Sequence, residues 1–208
     1  MDRKCIILGR NTGNALGQIR SFGEAGIKSI VVWFGFNGHN PKHSKYVEAF
    51  YEFASAEECL EFIIDKYGNN PDKNILTTDN DGIVSLFDKN YERLNKSFIF
   101  FNAGEQGRLS KMMTKTKQCE LAEKYGIKIP KSVVMENCEL NHGLQYPIFT
   151  KATDSFDVHW KNSVCICRNE EDLKGYYDRR KTNSPVLVQE YIEKKNEYIL
   201  QGISVRGG

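Results

Sequence analysis

Over the first 108 residues, short apolar runs alternate with stretches in which apolar residues recur every three or four positions. Lys4–Leu8 reads as a short apolar strand. Leu16, Ile19 and Phe22 then fall at helical spacing, and Gly26 stops that helix. Ser29–Phe34, β-branched and aromatic, is a second buried strand. Ser55-Ala56-Glu57-Glu58 has the form of a capping box and opens a helix with the stripe Leu60, Ile63, Ile64 and Tyr67, closed by Gly68. Asn74–Thr77 is a third strand. Ile83, Val84, Phe87, Tyr91 and Leu94 mark one further helix, and Ser97–Phe101 the next strand. Strand and helix alternating at this spacing predict a parallel sheet with helices on both faces, a Rossmann-like α/β arrangement.

After Arg108 the rhythm changes. A helix is expected from about Ser110 to Tyr125, with Gly126 just past its end. Short strands follow at Ser132–Met135, Tyr146–Lys151, Ser163–Cys167, Pro185–Glu190 and Glu197–Ile203, interrupted by one helix over about Asn169–Arg180. Strands now outnumber helices, so residues 109–208 read as a second, α+β module after a first domain of residues 1–108. The last predicted strand has nothing after it to cover its edge. The remainder of this domain is therefore expected outside the 208 residues.

Charge excludes little but nucleic acid. Lys plus Arg number 29 and Asp plus Glu 27, a net +2 that supplies no electrostatic reason to bind a polyanionic helix. The apolar runs are far shorter than the roughly 20 residues that a membrane helix needs. The start, Met1-Asp2-Arg3-Lys4, precedes too short an apolar core for a secretory signal. A cytoplasmic protein without membrane contact is the expectation. Cys5, Cys59, Cys119, Cys138, Cys165 and Cys167 form no CxxC pair. Cys165 and Cys167 alternate with Val164, Ile166 and Arg168, so they share one face of a strand and read as small buried thiols.

Candidate chemistry sits at three places. The first strand leads into Gly9-Arg10-Asn11-Thr12-Gly13-Asn14-Ala15-Leu16-Gly17, where glycines let the backbone approach a phosphate or pack a helix closely on the sheet. The spacing is neither that of a dinucleotide fold nor that of a Walker loop, and Trp33-Phe34-Gly35-Phe36 stands where a ribose-binding acid would be. A tight packing turn, a substrate contact through Asn11 and Thr12, and an NAD(P) site all remain open here. Asp79 and Asp81 follow the third strand, where open α/β sheets bind ligands. They either orient an amine or a metal, or one of them caps the helix that starts at Asp81 or Gly82. The third place is a set in the second module. Lys151 ends an apolar strand, Lys115 lies early in a helix, and Val186–Ile192 is an apolar strand that closes on Glu190, with Glu197 beyond it. Two lysines can neutralise polyphosphate charge, an apolar hinge can read a base edge, and a carboxylate can hold ribose hydroxyls.

At these residues the chain resembles the ATP-grasp superfamily. A lysine stands in a helix eleven residues before the turn Gly126-Ile127-Lys128-Ile129-Pro130, then comes Tyr146-Pro147-Ile148-Phe149-Thr150-Lys151, then Val186–Ile192 with its acid. Four pieces in order, behind a Rossmann-like domain, carry the resemblance over nearly the whole chain. Within that superfamily Ile7-Leu8-Gly9-Arg10-Asn11, Ser44-Lys45-Tyr46 and Thr78–Asp81 are most similar to the D-aspartate ligase-like carboxylate–amine ligases, with carbamoyl-phosphate synthase large-subunit-like proteins close by.

The resemblance implies an incomplete ATP-grasp domain behind a pre-ATP-grasp domain. It also implies roles. Lys115 and Lys151 contact the ATP phosphates, and Glu190 lies beside the adenine amino group. The backbone of Tyr191 and of Ile192 or Glu193 reads the ring edge, and Glu197 takes the ribose. The implied reaction joins a small-molecule carboxylate to an amine through an acyl phosphate, with ATP and Mg²⁺, the metal ligands lying beyond Gly208 and the 208 residues inactive alone. Residues 153–160 lack the glycines that many of these proteins carry after the second lysine. A nucleotide-binding module without turnover is the alternative, and an NAD(P)-dependent oxidoreductase a more distant one.

Overall fold

Apolar runs become parallel strands and amphipathic stretches become their covering helices in a computed structural model that describes residues 3–10, 13–35, 41–153, 164–180 and 185–198. The chain divides into two units, Met1–Gln118 and Cys119–Gly208. In the first, β1 (Cys5–Arg10), β2 (Ser29–Phe34), β3 (Val47–Phe53), β4 (Asn74–Thr77) and β5 (Phe98–Ile99) form a parallel sheet in the order β3-β2-β1-β4-β5. Central strands of such a sheet are buried on both faces, which is why β1 and β2 read as unbroken apolar runs rather than alternating ones. α1 (Gly13–Glu24) lays Ala15 and Ile19 on Ile7, Val31 and Trp33. α2 (Ala56–Tyr67), α3 (Asp81–Lys89) and α4 (Tyr91–Ser97) cover the other face, over Ile6, Leu8, Ile30, Val32 and Leu76.

β3 is the strand that the sequence analysis passes over. Val47, Ala49, Tyr51 and Phe53 alternate with Glu48 and Glu52, the period-two signal of an edge strand. A register shift opposite Ser29 and Ile30 leaves Glu48 as the extra residue. Its carboxylate pairs with Lys4 Nζ at 2.9 Å. Because of that shift Val47 and Phe50 face α1, while Ala49, Tyr51 and Phe53 face α2.

Two helices expected to be continuous are broken. Asn90 separates α3 from α4, its side-chain amide donating to the Leu86 carbonyl at 2.9 Å in competition with the backbone. Between α5 (Arg108–Met112) and α6 (Lys115–Lys124), the Thr114 hydroxyl accepts from the Lys117 N–H at 3.3 Å and caps α6. The Ser55 half of the capping box forms, Ser55 Oγ accepting from the Glu58 N–H, while the Glu58 carboxylate accepts from the N–H of Ala54, one residue before the cap.

α5 belongs with the first unit for an electrostatic reason. The carboxylate of Asp88, 1% exposed, accepts from the N–H groups of Leu109 at 3.2 Å and Ser110 at 2.8 Å. These are orphan donors of the first turn of α5, so a buried acid on α3 satisfies them and carries residues past Arg108 into the first unit.

In the second unit β6 (Ser132–Met135), β7 (Ile148–Ala152), β8 (Cys165–Cys167) and β9 (Val186–Glu190) form an antiparallel sheet in the order β6-β9-β7-β8. α7 (Glu170–Arg179), capped by Asn169, packs Leu173 and Tyr176 on one face of it, over Met135, Ile148, Val186 and Val188. Cys165 and Cys167 lie on that same face, as their spacing predicts. Glu197 and Tyr198 are not in a strand, and the rest of the expected strand over Glu197–Ile203 lies outside the described residues, as does Ser163. Among the described residues no helix is long and apolar enough to cross a membrane.

Two predictions follow from these contacts. Burial pushes the thiols of Cys59 and Cys167 up from 9.0 to about 12. Both are protonated in the folded chain at a pH where unfolded thiols ionise. Their contribution is full below about pH 9 and is lost as pH rises toward 12. The urea midpoint should fall progressively above pH 9, and iodoacetamide at pH 8 should modify exposed Cys138 before either buried thiol. A midpoint that stays flat to pH 11 would contradict this account. For Asp88→Ala, the loss of two hydrogen bonds to a charged acceptor should cost about 2–3 kcal/mol in urea unfolding. A cost below about 1 kcal/mol would mean that water replaces the carboxylate freely.

Candidate functional site

The second unit builds a cleft out of one turn, one strand pairing and one hinge. α6 stops at Gly126, whose φ of +69° is left-handed. The Gly126 N–H donates to the Glu123 carbonyl at 3.0 Å and the Ile127 N–H to the Ala122 carbonyl at 2.9 Å. This paired closure needs a residue without a Cβ penalty at that φ. The chain then runs through Lys128, Ile129 and Pro130, which form one wall of a cleft of about 560 Å³. Phe149, Gln189, Glu190, Tyr191 and Ile192 form the rest, with Lys194 at its rim.

β9 is paired on both sides, so its register decides which side chains meet. Gln189 lies opposite Ser132 of β6 and Phe149 of β7, and Leu187 opposite Lys151. Directly opposed residues share a face. Phe149, Lys151, Leu187 and Gln189 therefore occupy one face, while Ile148, Thr150, Val186, Val188 and Glu190 occupy the face toward α7. Lys151 Nζ donates to Gln189 Oε1 at 3.1 Å, and Gln189 is only 9% exposed. The lysine is thus tied to the cleft through the side-chain amide of Gln189.

Glu190 is arranged differently from the expectation. Its side chain is exposed and accepts from the Lys131 N–H at 3.3 Å, while its own N–H donates to the Lys131 carbonyl at 2.9 Å. The acid closes the β6–β9 end of the sheet, and the neighbouring Gln189 has the side chain that faces Lys151. Sequence analysis missed Gln189 because Val186-Leu187-Val188 is apolar throughout. A run buried on both faces carries no alternation from which to read which residue points where. The available signal is the pairing itself, which one strand alone does not contain.

Beyond β9 the Tyr191 N–H donates to the Pro147 carbonyl at 3.3 Å. Among the described residues the Ile192 N–H has no hydrogen-bond partner, and it stands at the cleft as an open donor. Glu197 pairs with Lys194 at 3.1 Å, both side chains 68% exposed, which places the acid at the rim through a weak surface ion pair. Lys115 is the first residue of α6 and lies in the first unit.

In the first unit, Asn11 and Thr12 lie outside the described residues. Asp79 and Asp81 lie just past the carboxyl end of β4, but neither caps α3. The cap is Asn80, whose Oδ1 accepts from the Ile83 N–H at 3.2 Å. Asp81 is already the first helical residue, one position too late to cap, and its charge complements the helix N-terminus instead. Gly9 is required by packing: a Cβ there would meet the Trp33 ring at 2.7 Å. Gly13 and Gly17 meet nothing within 4 Å. The glycine run therefore serves close packing at its start only.

No family model matches the chain, and no curated protein is similar to it in sequence. Solved structures are similar to it in fold. One is the N5-carboxyaminoimidazole ribonucleotide synthetase from Thermotoga maritima, at 17% identity and a TM-score of 0.61 over 93% of this chain and 47% of that one. The L-amino acid ligase from Bacillus licheniformis has 13% identity and a TM-score of 0.65 over 92% of this chain and 45% of that one. The N5-carboxyaminoimidazole synthase from Aspergillus clavatus, solved in complex with ADP, has the same identity and TM-score over 92% of this chain and 48% of that one. These are ATP-grasp ligases, and the fold of this chain, a parallel five-stranded sheet followed by a separate antiparallel sheet, is theirs. The chain spans about half the length of the relatives it matches.

The first-unit geometry bears on the NAD(P) alternative. Trp33, 2% exposed, fills the space behind Gly9 toward the end of β2, and among the described residues that follow directly, Phe34 and Gly35, neither is an acid. NAD and NADP at millimolar concentration are expected to leave the melting temperature unchanged. A ligand at 100 times its dissociation constant adds about 2.7 kcal/mol, which melting registers readily. A clear upward shift with either dinucleotide would overturn this reading of the first unit.

Proposed function

We propose that the chain is the nucleotide-binding part of an ATP-dependent carboxylate–amine ligase of the D-aspartate ligase-like kind. The observation that carries this reading is the cleft of Lys128–Pro130, Phe149 and Gln189–Ile192, with the Lys151 ammonium bonded to its inner wall. Phe149, Ile129 and Pro130 offer an apolar slot for a flat base, and the Ile192 N–H offers a donor to its edge. Lys151 supplies charge to the phosphates and Lys115 supplies more, positions matching the order of the family motif. In this reading the base-facing side chain is Gln189, with Glu190 holding the strand that bears it. Glu197, at the rim with Lys194, is the ribose contact.

The chemistry follows from charge. The carboxylate oxygen of one substrate attacks the γ-phosphorus of ATP, ADP leaves, and the amine then displaces phosphate from the acyl phosphate. Catalysis of such transfers is mostly positioning plus cations that neutralise developing charge. Asn11, Thr12, Asp79 and Asp81 are the proposed substrate contacts, the two acids lying just past the carboxyl end of β4. Among the described residues no group of three His, Cys, Asp or Glu side chains is placed to hold a metal.

Lys151→Ala should weaken ATP binding by about 1.5–3 kcal/mol, roughly tenfold to a hundredfold in Kd, with the melting temperature of the unliganded protein little changed. Calorimetric titration measures the first and thermal melting the second. Unchanged affinity together with a collapsed melting temperature would make Lys151 a structural residue. Ligation is tested by phosphate release from ATP and Mg²⁺ with a panel of amino acids, on the 208 residues and on the full-length protein. Binding without release in the full-length protein would leave a nucleotide-binding module in place of a ligase.

A further inference from the structure

One motif singled out in the sequence takes no part in the nucleotide cleft. Ser44-Lys45-Tyr46 lies in the first unit, after a 3₁₀ turn over Pro41–His43 and just before β3, and lines a pocket of about 410 Å³. Leu16 and Arg20 of α1 line it too, as do Pro41 and His43. Leu16, Arg20 and Gly23 recur on one face of α1. The Tyr46 ring is pressed against that face so closely that Gly23 has no room for a Cβ. The Ser29 N–H donates to the Tyr46 carbonyl at 3.0 Å, so the same loop is also tied to β2.

Charge at this pocket is unbalanced. Elsewhere cations meet acids, Lys4 with Glu48, Arg93 with Glu61 and Lys194 with Glu197. Here Arg20, His43 and Lys45 line one pocket, and no acid is among the described residues lining it. Among the described residues the side chains of Arg20 and His43 have no hydrogen-bond or ion-pair partner, and the Lys45 ammonium lies over the Tyr46 ring at 4.9 Å. Carbonyls that would oppose an anion are engaged, that of Pro41 by the Ser44 N–H at 2.9 Å and that of Ser44 by the Val47 N–H at 3.0 Å. The Ser44 hydroxyl accepts from the Tyr46 N–H at 3.4 Å, which leaves its own proton to donate.

These donors suit the head of a ligand, and the rest of the lining suits its body. Arg20 offers a planar fork that matches a carboxylate. Leu16, Pro41 and Tyr46 offer hydrocarbon and an aromatic ring. No glycine is among the described residues lining the pocket, so it lacks the close backbone cradle that favours a phosphate. We propose that this pocket binds a small organic acid, an apolar body carrying one carboxylate, with Arg20, Lys45, His43 and the Ser44 hydroxyl around the carboxylate. All of its lining residues belong to the first unit, and the inference does not rest on the nucleotide reading.

The test is a ligand-observed NMR titration of the protein with benzoate, with benzamide as its uncharged counterpart and inorganic phosphate as a bare anion. Benzoate is expected to bind at millimolar concentration, and benzamide about tenfold more weakly, the size of one charge-assisted hydrogen bond. Equimolar phosphate should not displace benzoate. Arg20→Gln should weaken benzoate about tenfold and Lys45→Gln several-fold, with the melting temperature kept, since both side chains are exposed. Lys151→Ala, in the second unit, should leave benzoate affinity unchanged. Equal binding of benzoate and benzamide would overturn the carboxylate recognition, and displacement by equimolar phosphate would reduce the site to a basic patch. Binding lost in Lys151→Ala and kept in Arg20→Gln would move the carboxylate to the other unit and overturn the proposal. Absence of benzoate binding would overturn it outright, whatever the variants do.

Discussion

The register of β9 is the constraint on which the candidate site depends. This strand is hydrogen-bonded on both sides, to β6 through Ser132–Met135 and to β7 through Ile148–Ala152. A shift by one residue would send every side chain to the opposite face. Gln189 would then turn toward α7 and bury an amide against Ile148 and Val188, while Glu190 would turn toward Lys151. The apolar cluster beneath α7 prevents this, because Val186, Val188 and Ile148 must stay under Leu173 and Tyr176. Packing on one face of the sheet thus determines the chemistry on the other.

The hinge after β9 is the complement of that register. A strand uses its backbone donors in the ladder, and a site needs some left over. Tyr191 still bonds to Pro147, and the Ile192 N–H is released just where the apolar slot begins. The opposite wall comes from an unrelated device, the left-handed glycine that ends α6 and turns Lys128–Pro130 along the cleft. Neither wall is a catalytic group. In the proposed reading they place a planar base, and the charge comes from lysines.

In the first unit the same division between packing and chemistry recurs. Gly9 is needed because the Trp33 ring lies against the strand, and Asp88 is buried because α5 needs an acceptor for its first turn. Both residues look like candidates for ligand chemistry when read as types, a glycine after a strand and an acid between helices. Their surroundings make them structural. Asn80 shows the converse: an asparagine between two aspartates takes the capping role because it alone stands at the position before the helix.

Much was legible in the sequence by itself. Short-range periodicity gave Ser29–Phe34, Asn74–Thr77 and Ser132–Met135 at their observed limits, and the caps at Ser55 and Gly126 marked helix ends, because capping depends on residues within one turn of each other. The shared face of Cys165 and Cys167 was equally local. The fold class followed from the order of these elements, and the order of lysines and acids pointed to a nucleotide. What the tertiary structure decided was everything that requires two strands at once. The bulge at Glu48 and the placement of Gln189 beside Lys151 depend on what lies across a sheet, whereas the breaks at Asn90 and Thr114 come from bonds within one turn that the apolar periodicity does not register. A doubly buried strand is apolar on both sides, so its own residues carry no record of which face will line the cleft. Only its neighbours β6 and β7, distant in sequence, supply that reference.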